Sequence, residues 1–345
     1  MRIAMLAPLY ESVPPARYGG TERVVDWLCR ELSAQGHRVT LFASGDSMTP
    51  ARLVPIVDRA LRLANRPLLD PVAFHLHAVE EAVVRAGEFD VVHSHLDYLP
   101  FPAFARASAP LLTTLHGRLD LEGLAAVYER WRRFPLVSIS RAQRRPLPRA
   151  SWIATVHHGL PVGDYEPGRG GGDYVAFLGR ISPEKRPHVA IDAARRLGVR
   201  LVIAAKVDPA DRRYFEDAIA PRLRGPRVEF IGEVDEAGKA TLLRDARALL
   251  NPVLWPEPFG LVMIESLAFG TPVITRRCGS TPEVIADGRV GFLCDDDDQV
   301  VDALRRVERI ERSECRRWVE ERFSSARMAA RYVALYERVA DRRAA

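Results

Sequence analysis

The chain has 345 residues, 47% hydrophobic and 28% charged, so it is long enough for two domains with separate cores and too apolar to stay disordered. No apolar run approaches the ~18 residues that a membrane span needs. The net charge of +5 and a pI of about 9.2 suit an anionic ligand, but the charge is dispersed and no basic run alternates with stacking aromatics, which argues against nucleic acid as a partner.

The amino-terminal MRIAMLAPLY runs directly into a strand-like segment, so no cleavable signal is expected and the cytoplasm is the expected location. Residues 2–7 predict a first strand, followed by the long loop PLYESVPPARYGG. A helix over TERVVDWLCRELSAQ places Val24, Val25, Leu28 and Leu32 on one face; Gly36 stops it and RVTLFA begins the next strand. This order argues for a parallel, doubly wound sheet. Further strands are expected at 89–93, 110–115 and 135–140.

The stretch 159–173, GLPVGDYEPGRGGGD, reads as an interdomain linker. After it the alternation restarts: YVAFL, a helix near 187–197, VRLVIAA, a helix near 210–223, RVEFI, a helix near 236–246, and ALLNP. The tail is helical from about 298, with Met328, Tyr332, Leu335 and Tyr336 on one stripe.

The first strand is not followed by Gly-x-Gly-x-x-Gly, so a dinucleotide cofactor is not expected. Instead Gly19-Gly20-Thr21 opens the first helix, where bare amides can meet a phosphate or Thr21 can serve as a cap. In the second unit Gly179-Arg180 ends a strand and Lys185 follows, in GRISPEK; an Arg fork with a Lys point charge suits a diphosphate. Only three of the 50 basic side chains are lysine (Lys185, Lys206, Lys239), which directs attention to positions where arginine does not substitute. Lys206 ends the next strand on the same edge, and Lys239 is expected on the surface of a helix.

The stretch from Asn251 to Glu283 holds Glu257 ahead of a helix opening near Phe259-Gly260, and Glu265 on that helix's otherwise apolar face. A carboxylate there needs a partner or a ligand. His116 ends a strand in the first unit, with Gly117 beside it. His93 and His95 share one face of a strand and with Asp97 resemble a metal cluster, but no third ligand of matching spacing joins the two histidines. Asp295 to Asp298 reads better as the acidic start of a helix. No metal is expected, and the four scattered cysteines read as reduced thiols.

Taken together, GRISPEK, WPEPFGLVMIESLAFGTPVI and GSTPEVIADGRVGFL resemble the retaining family-4 glycosyltransferases of GT-B fold, with a weaker likeness to bacterial enzymes that glycosylate small molecules. The resemblance implies an α/β architecture of two Rossmann-like, doubly wound domains facing across a cleft. Residues 1–165 would bind the acceptor, with a helix at about 325–345 packing back onto them, and 166–324 would bind the donor. It further implies that Arg180 and Lys185 grip the donor diphosphate and that Glu265 binds the ribose. Glu257, with the amides of Phe259, Gly260 and Leu261, would hold the sugar and its phosphate. Lys206, Gly19 and Gly20 would complete the donor site, and His116 would lie beside the sugar. His158-Gly159 departs from the family's usual Asn-Gly. The co-substrate would be a nucleoside diphosphate sugar, UDP-glucose by default, with no other cofactor; the acceptor would be a small-molecule, glycan or lipid-linked hydroxyl. The competing readings are a non-catalytic nucleotide-sugar binder and a sugar-nucleotide epimerase. The Arg-rich stretches 130–133 and 141–149 read first as solvated helix faces, since little apolar surface adjoins them, with weak peripheral membrane contact as the alternative.

Overall fold

The computed structural model describes residues 1–63, 69–107 and 109–344. Among them the chain forms two compact units, one of residues 1–160 with 325–345 and one of 161–324. The first holds strands β1 (Arg2–Leu6), β2 (Arg38–Ser44), β3 (Arg52–Val57), β4 (Val91–Ser94), β5 (Leu111–Leu115), β6 (Leu136–Ser138) and β7 (Trp152–Thr155). The second holds β8 (Tyr174–Arg180), β9 (Arg200–Lys206), β10 (Val228–Gly232), β11 (Leu249–Asn251), β12 (Val273–Arg276) and β13 (Gly291–Cys294).

Both sheets are parallel throughout, in the orders β3-β2-β1-β4-β5-β6-β7 and β10-β9-β8-β11-β12-β13. The strand order reverses between β1 and β4 in one unit and between β8 and β11 in the other, which are the positions where open α/β sheets bind ligands. Central strands such as β1 are apolar without alternation because helices cover both faces; Ile3, Ala4, Met5 and Leu6 are all fully buried.

The expected helix at 210–223 is broken into short 3-10, α and π turns. Pro221 has no amide to donate to the carbonyl four residues back, and the backbone just before it widens into the π turn Phe215–Ile219. Residues 159–173 do not form a free linker. Tyr165 packs on Phe269, Gly168 donates its amide to the Phe269 carbonyl, and Arg316 and Arg312 reach the carbonyls of Tyr165 and Gly168. A Cβ at Gly168 would lie 1.7 Å from the Arg244 carbonyl oxygen, so glycine here serves close packing. The last helix, Ser325–Ala344, belongs to the first unit; its stripe of Met328, Tyr332, Leu335 and Tyr336 is buried, and Ser325 donates to Glu31 of the helix Gly20–Ala34 at 2.6 Å.

Candidate active site

The carboxyl edge of the second sheet gathers most of the expected donor residues. Arg180 ends β8 and Lys206 ends β9 as register partners. Asp208 lies 2.8 Å from Lys206 Nζ and 3.7 Å from an Arg180 guanidinium nitrogen, while Arg180 also donates to Glu184 at 3.1 Å. Lys185 forms an ion pair with Glu257 that is only 18% and 11% exposed at its two side chains. The Lys185 ammonium also lies 5.8 Å from the centre of the Trp255 ring, whose N–H donates to Glu257 at 3.1 Å. Three cations therefore meet three carboxylates at the switch point. Glu184 and Asp208 were not singled out from the sequence, although each sits within four residues of an expected cation.

The loop carrying Glu257 is held from behind by the GSTPE segment. Gly279 has a φ of +57°, and a Cβ there would come within 2.4 Å of the Glu257 amide nitrogen. Ser280 donates its amide to the Glu257 carbonyl at 3.0 Å and its hydroxyl to the Phe259 carbonyl at 2.9 Å. Gly260, at a φ of +81°, turns the chain into the helix Leu261–Ala268, whose opening amides have no partner within the helix itself. Phe259 is buried, with its ring edge-on to Phe323.

Lys239 corrects the expectation of a surface lysine. It is 8% exposed and bonds Glu265 Oε1 at 2.6 Å, with Glu236 2.9 Å away. The partner that the buried Glu265 requires is thus supplied from a neighbouring helix, Glu236–Asp245. One carboxylate oxygen is committed to Lys239, and the other has no hydrogen-bond partner among the described residues. Lys239→Met is expected to raise the donor KM about tenfold with a smaller change in kcat, because it lets Glu265 rotate away from its present position. Initial-rate kinetics over a donor series check this; an unchanged KM would mean that Glu265 does not touch the donor.

In the first unit, Gly19 holds a φ of +151° and a Cβ there would lie 2.7 Å from Pro15, so no side chain fits. Gly20 is the first residue of its helix and is exposed; Thr21 lies inside the helix and does not cap it. His116 follows β5 and is half-buried. It belongs to a cluster that the sequence did not reveal: His95 Nδ1 to His116 Nε2 is 2.7 Å, the His93 and His95 rings are 4.2 Å apart, and His158 stacks on His116 at 5.2 Å. Burial lowers His93 and His116 to about 3 and holds His95 and His158 well below the ordinary histidine value, so the rings are neutral at pH 7.

Among the described residues no group of three His, Cys, Asp or Glu could hold a metal ion, and His93 spends its ring nitrogens on Tyr336 and Thr114. Asp296 caps the helix Asp297–Arg306 through the Gln299 amide, while Asp297 pairs with Arg186 and Arg276. In the Arg-rich stretches, Arg130 and Arg133 lie over Trp131, and Arg144 lies over Trp152 while donating to Ser138. No helix among the described residues is long and apolar enough to cross a membrane.

Residues 18–164 match the family described as Glycosyltransferase Family 4, and residues 166–324 match Glycosyl transferases group 1. A phosphatidyl-myo-inositol mannosyltransferase of Mycobacterium leprae is 29% identical over 85% of this chain and 83% of its own. A glycogen synthase of Mycobacterium tuberculosis is also 29% identical, over 85% of this chain and 82% of its own. Among solved structures, AviGT4, a glycosyltransferase involved in avilamycin A biosynthesis, superposes with a TM-score of 0.78 at 26% identity, covering 99% of this chain and 98% of that one. With two Rossmann-like parallel-sheet domains matched across nearly the whole chain, the protein belongs to the GT-B glycosyltransferases, family 4 in its first domain and group 1 in its second, and is a transferase enzyme.

Proposed function

We propose that the enzyme moves a hexosyl group, by default glucose from UDP-glucose, to an acceptor hydroxyl with retention at the anomeric carbon and without a metal ion. The observation that carries this reading is the gathering of Arg180, Lys206 and the Lys185–Glu257 pair where the strand order of the second sheet reverses. An arriving diphosphate exchanges with the carboxylates as partner of these cations. That exchange frees Glu257 to accept hydrogen bonds from sugar hydroxyls.

Breaking the sugar–diphosphate bond leaves negative charge on the departing phosphate and positive charge at the anomeric carbon. Cations and helix-opening amides fixed at the phosphate stabilise the first, with each such donor contributing roughly 3–4 kcal/mol. Glu265 takes a ribose hydroxyl on the oxygen that Lys239 leaves open. The acceptor is a small-molecule, glycan or lipid-linked hydroxyl. Four free cysteines, Cys29, Cys278, Cys294 and Cys315, suit the reducing cytoplasm.

The test is a thermal-shift panel of nucleotide sugars in EDTA, followed by transfer with the donor that stabilises most. Proton NMR of the product is expected to show the donor's anomeric configuration. Inversion, or transfer that stops on chelation and returns with a divalent cation, would overturn the corresponding part. A mannosyl donor giving the largest shift would change the sugar and leave the site assignment standing.

A further inference from the structure

The indole of Trp255 touches both charges of the Lys185–Glu257 pair. Trp255 and Glu257 each precede a proline, in Trp-Pro-Glu-Pro, which disfavours helical backbone at both and stiffens the loop that carries them. That loop is tied to the Lys185 segment by the Leu254 amide, which donates to the Glu184 carbonyl at 2.9 Å. Trp255 is half-buried there, with the Lys185 ammonium over its ring and its N–H toward Glu257.

The two donors to Glu257 meet at one atom. Lys185 Nζ and Trp255 Nε1 both bond Oε2, the second at 3.1 Å, and Oε1 accepts no hydrogen bond among the described residues. The donors differ in what draws them away. An ammonium is a full charge on a flexible stem, and a diphosphate offers it more negative charge than one carboxylate does. An indole N–H is a neutral donor on a rigid ring and gains far less by leaving.

We infer that Trp255 is a positioning residue for Glu257: its N–H holds Oε2 when Lys185 changes partner to a donor diphosphate, so that the carboxylate keeps its orientation with Oε1 open to a ligand hydroxyl. The change of partner rests on the proposed function; the Trp255–Glu257 bond does not. All three side chains belong to the second unit, so the arrangement is complete within it. Without the N–H, a carboxylate that has given up Lys185 turns about its own torsions, and the productive orientation has to be found again in each turnover.

The test uses the full-length 15N-labelled protein, whose five tryptophans give five indole N–H signals, with Trp255→Phe assigning its own. Phenylalanine keeps an aromatic face for the ammonium and removes the hydrogen-bond donor. The Trp255 signal is expected to exchange slowly with water, to lose that protection in Glu257→Ala, and to keep it when UDP is added in EDTA. In nucleoside-diphosphate release from the donor that stabilises the protein most, Trp255→Phe is expected to lower kcat about tenfold. The donor KM should stay within about twofold, because the grip on the diphosphate is intact. In a Glu257→Ala background the same substitution should change kcat by less than about twofold, which a merely structural role does not produce. An unchanged kcat in Trp255→Phe, a loss that persists in Glu257→Ala, or loss of protection at Trp255 on UDP binding overturns the inference. If UDP moves no signal at all, the diphosphate site of the proposed function falls and the change of partner with it, while the Trp255–Glu257 bond stands.

Discussion

Lys185→Met is expected to lower turnover of the sugar nucleotide by about 10²–10³-fold, the usual cost of removing one preorganised donor from a developing anion. The same change strands the Glu257 carboxylate, which is 11% exposed and bonded otherwise to the Trp255 N–H. Breaking a buried pair from one side costs about 3–5 kcal/mol, less here because both groups retain some solvent. A fall in stability is therefore expected alongside the fall in rate, and the two have separate causes. Lys185→Met/Glu257→Gln removes both charges and should recover most of the lost melting temperature while turnover stays low. Recovery of turnover with stability would show that Lys185 only holds the fold together. Differential scanning calorimetry and a nucleoside-diphosphate release assay on the three proteins distinguish these outcomes.

Acid should unfold the enzyme steeply, beginning below about pH 6.5. Burial lowers His93, His95, His116 and His158 in the folded state, whereas in the unfolded chain they take protons near the ordinary value of about 6.5. The unfolded state thus binds more protons, and stability rises with pH. The contribution is fully present above about pH 6.5 and is lost as pH falls toward the folded value of about 3 at His93 and His116. Each histidine that titrates only in the unfolded chain adds at most about 1.4 kcal/mol per pH unit, so the slope is expected to exceed that of a single group between about pH 6 and 4. Urea midpoints measured across that range check it. His158→Gln should reduce the slope by about one histidine's share, and equal slopes in the two proteins would show that the cluster is protonated in the folded state.

Much of the fold is written locally. Strands β1, β2, β8 and β9 are apolar runs bounded by turn residues, and their burial on both faces makes them visible without knowledge of their neighbours. Strands β3 and β7 lie at the edges of the first sheet, where half-buried residues and Pro55 blur the pattern, and β13 is short and opens with Gly291. Arg180, Lys185, Lys206 and Glu257 were legible for a related reason: each sits at or just after a strand end, and parallel sheets put strand ends together. The Lys239–Glu265 pair joins two helices 26 residues apart in sequence, and the Tyr336–His93 bond spans 243. Such contacts depend on how helices settle onto the sheet, which no local spacing encodes. Lys239 shows the cost of the local view, since polar neighbours in sequence suggested a surface that packing then covered.

On the proposed function, cations of the second unit hold the donor diphosphate without help from a metal. Calorimetric titration of UDP in EDTA into the wild-type protein and into Arg180→Ala/Lys185→Met measures it directly. Binding to the wild type with at least ~100-fold loss in the variant is the expected result, since each charge-assisted contact contributes about 1.5–3 kcal/mol. Equal affinity in the two proteins would contradict the account.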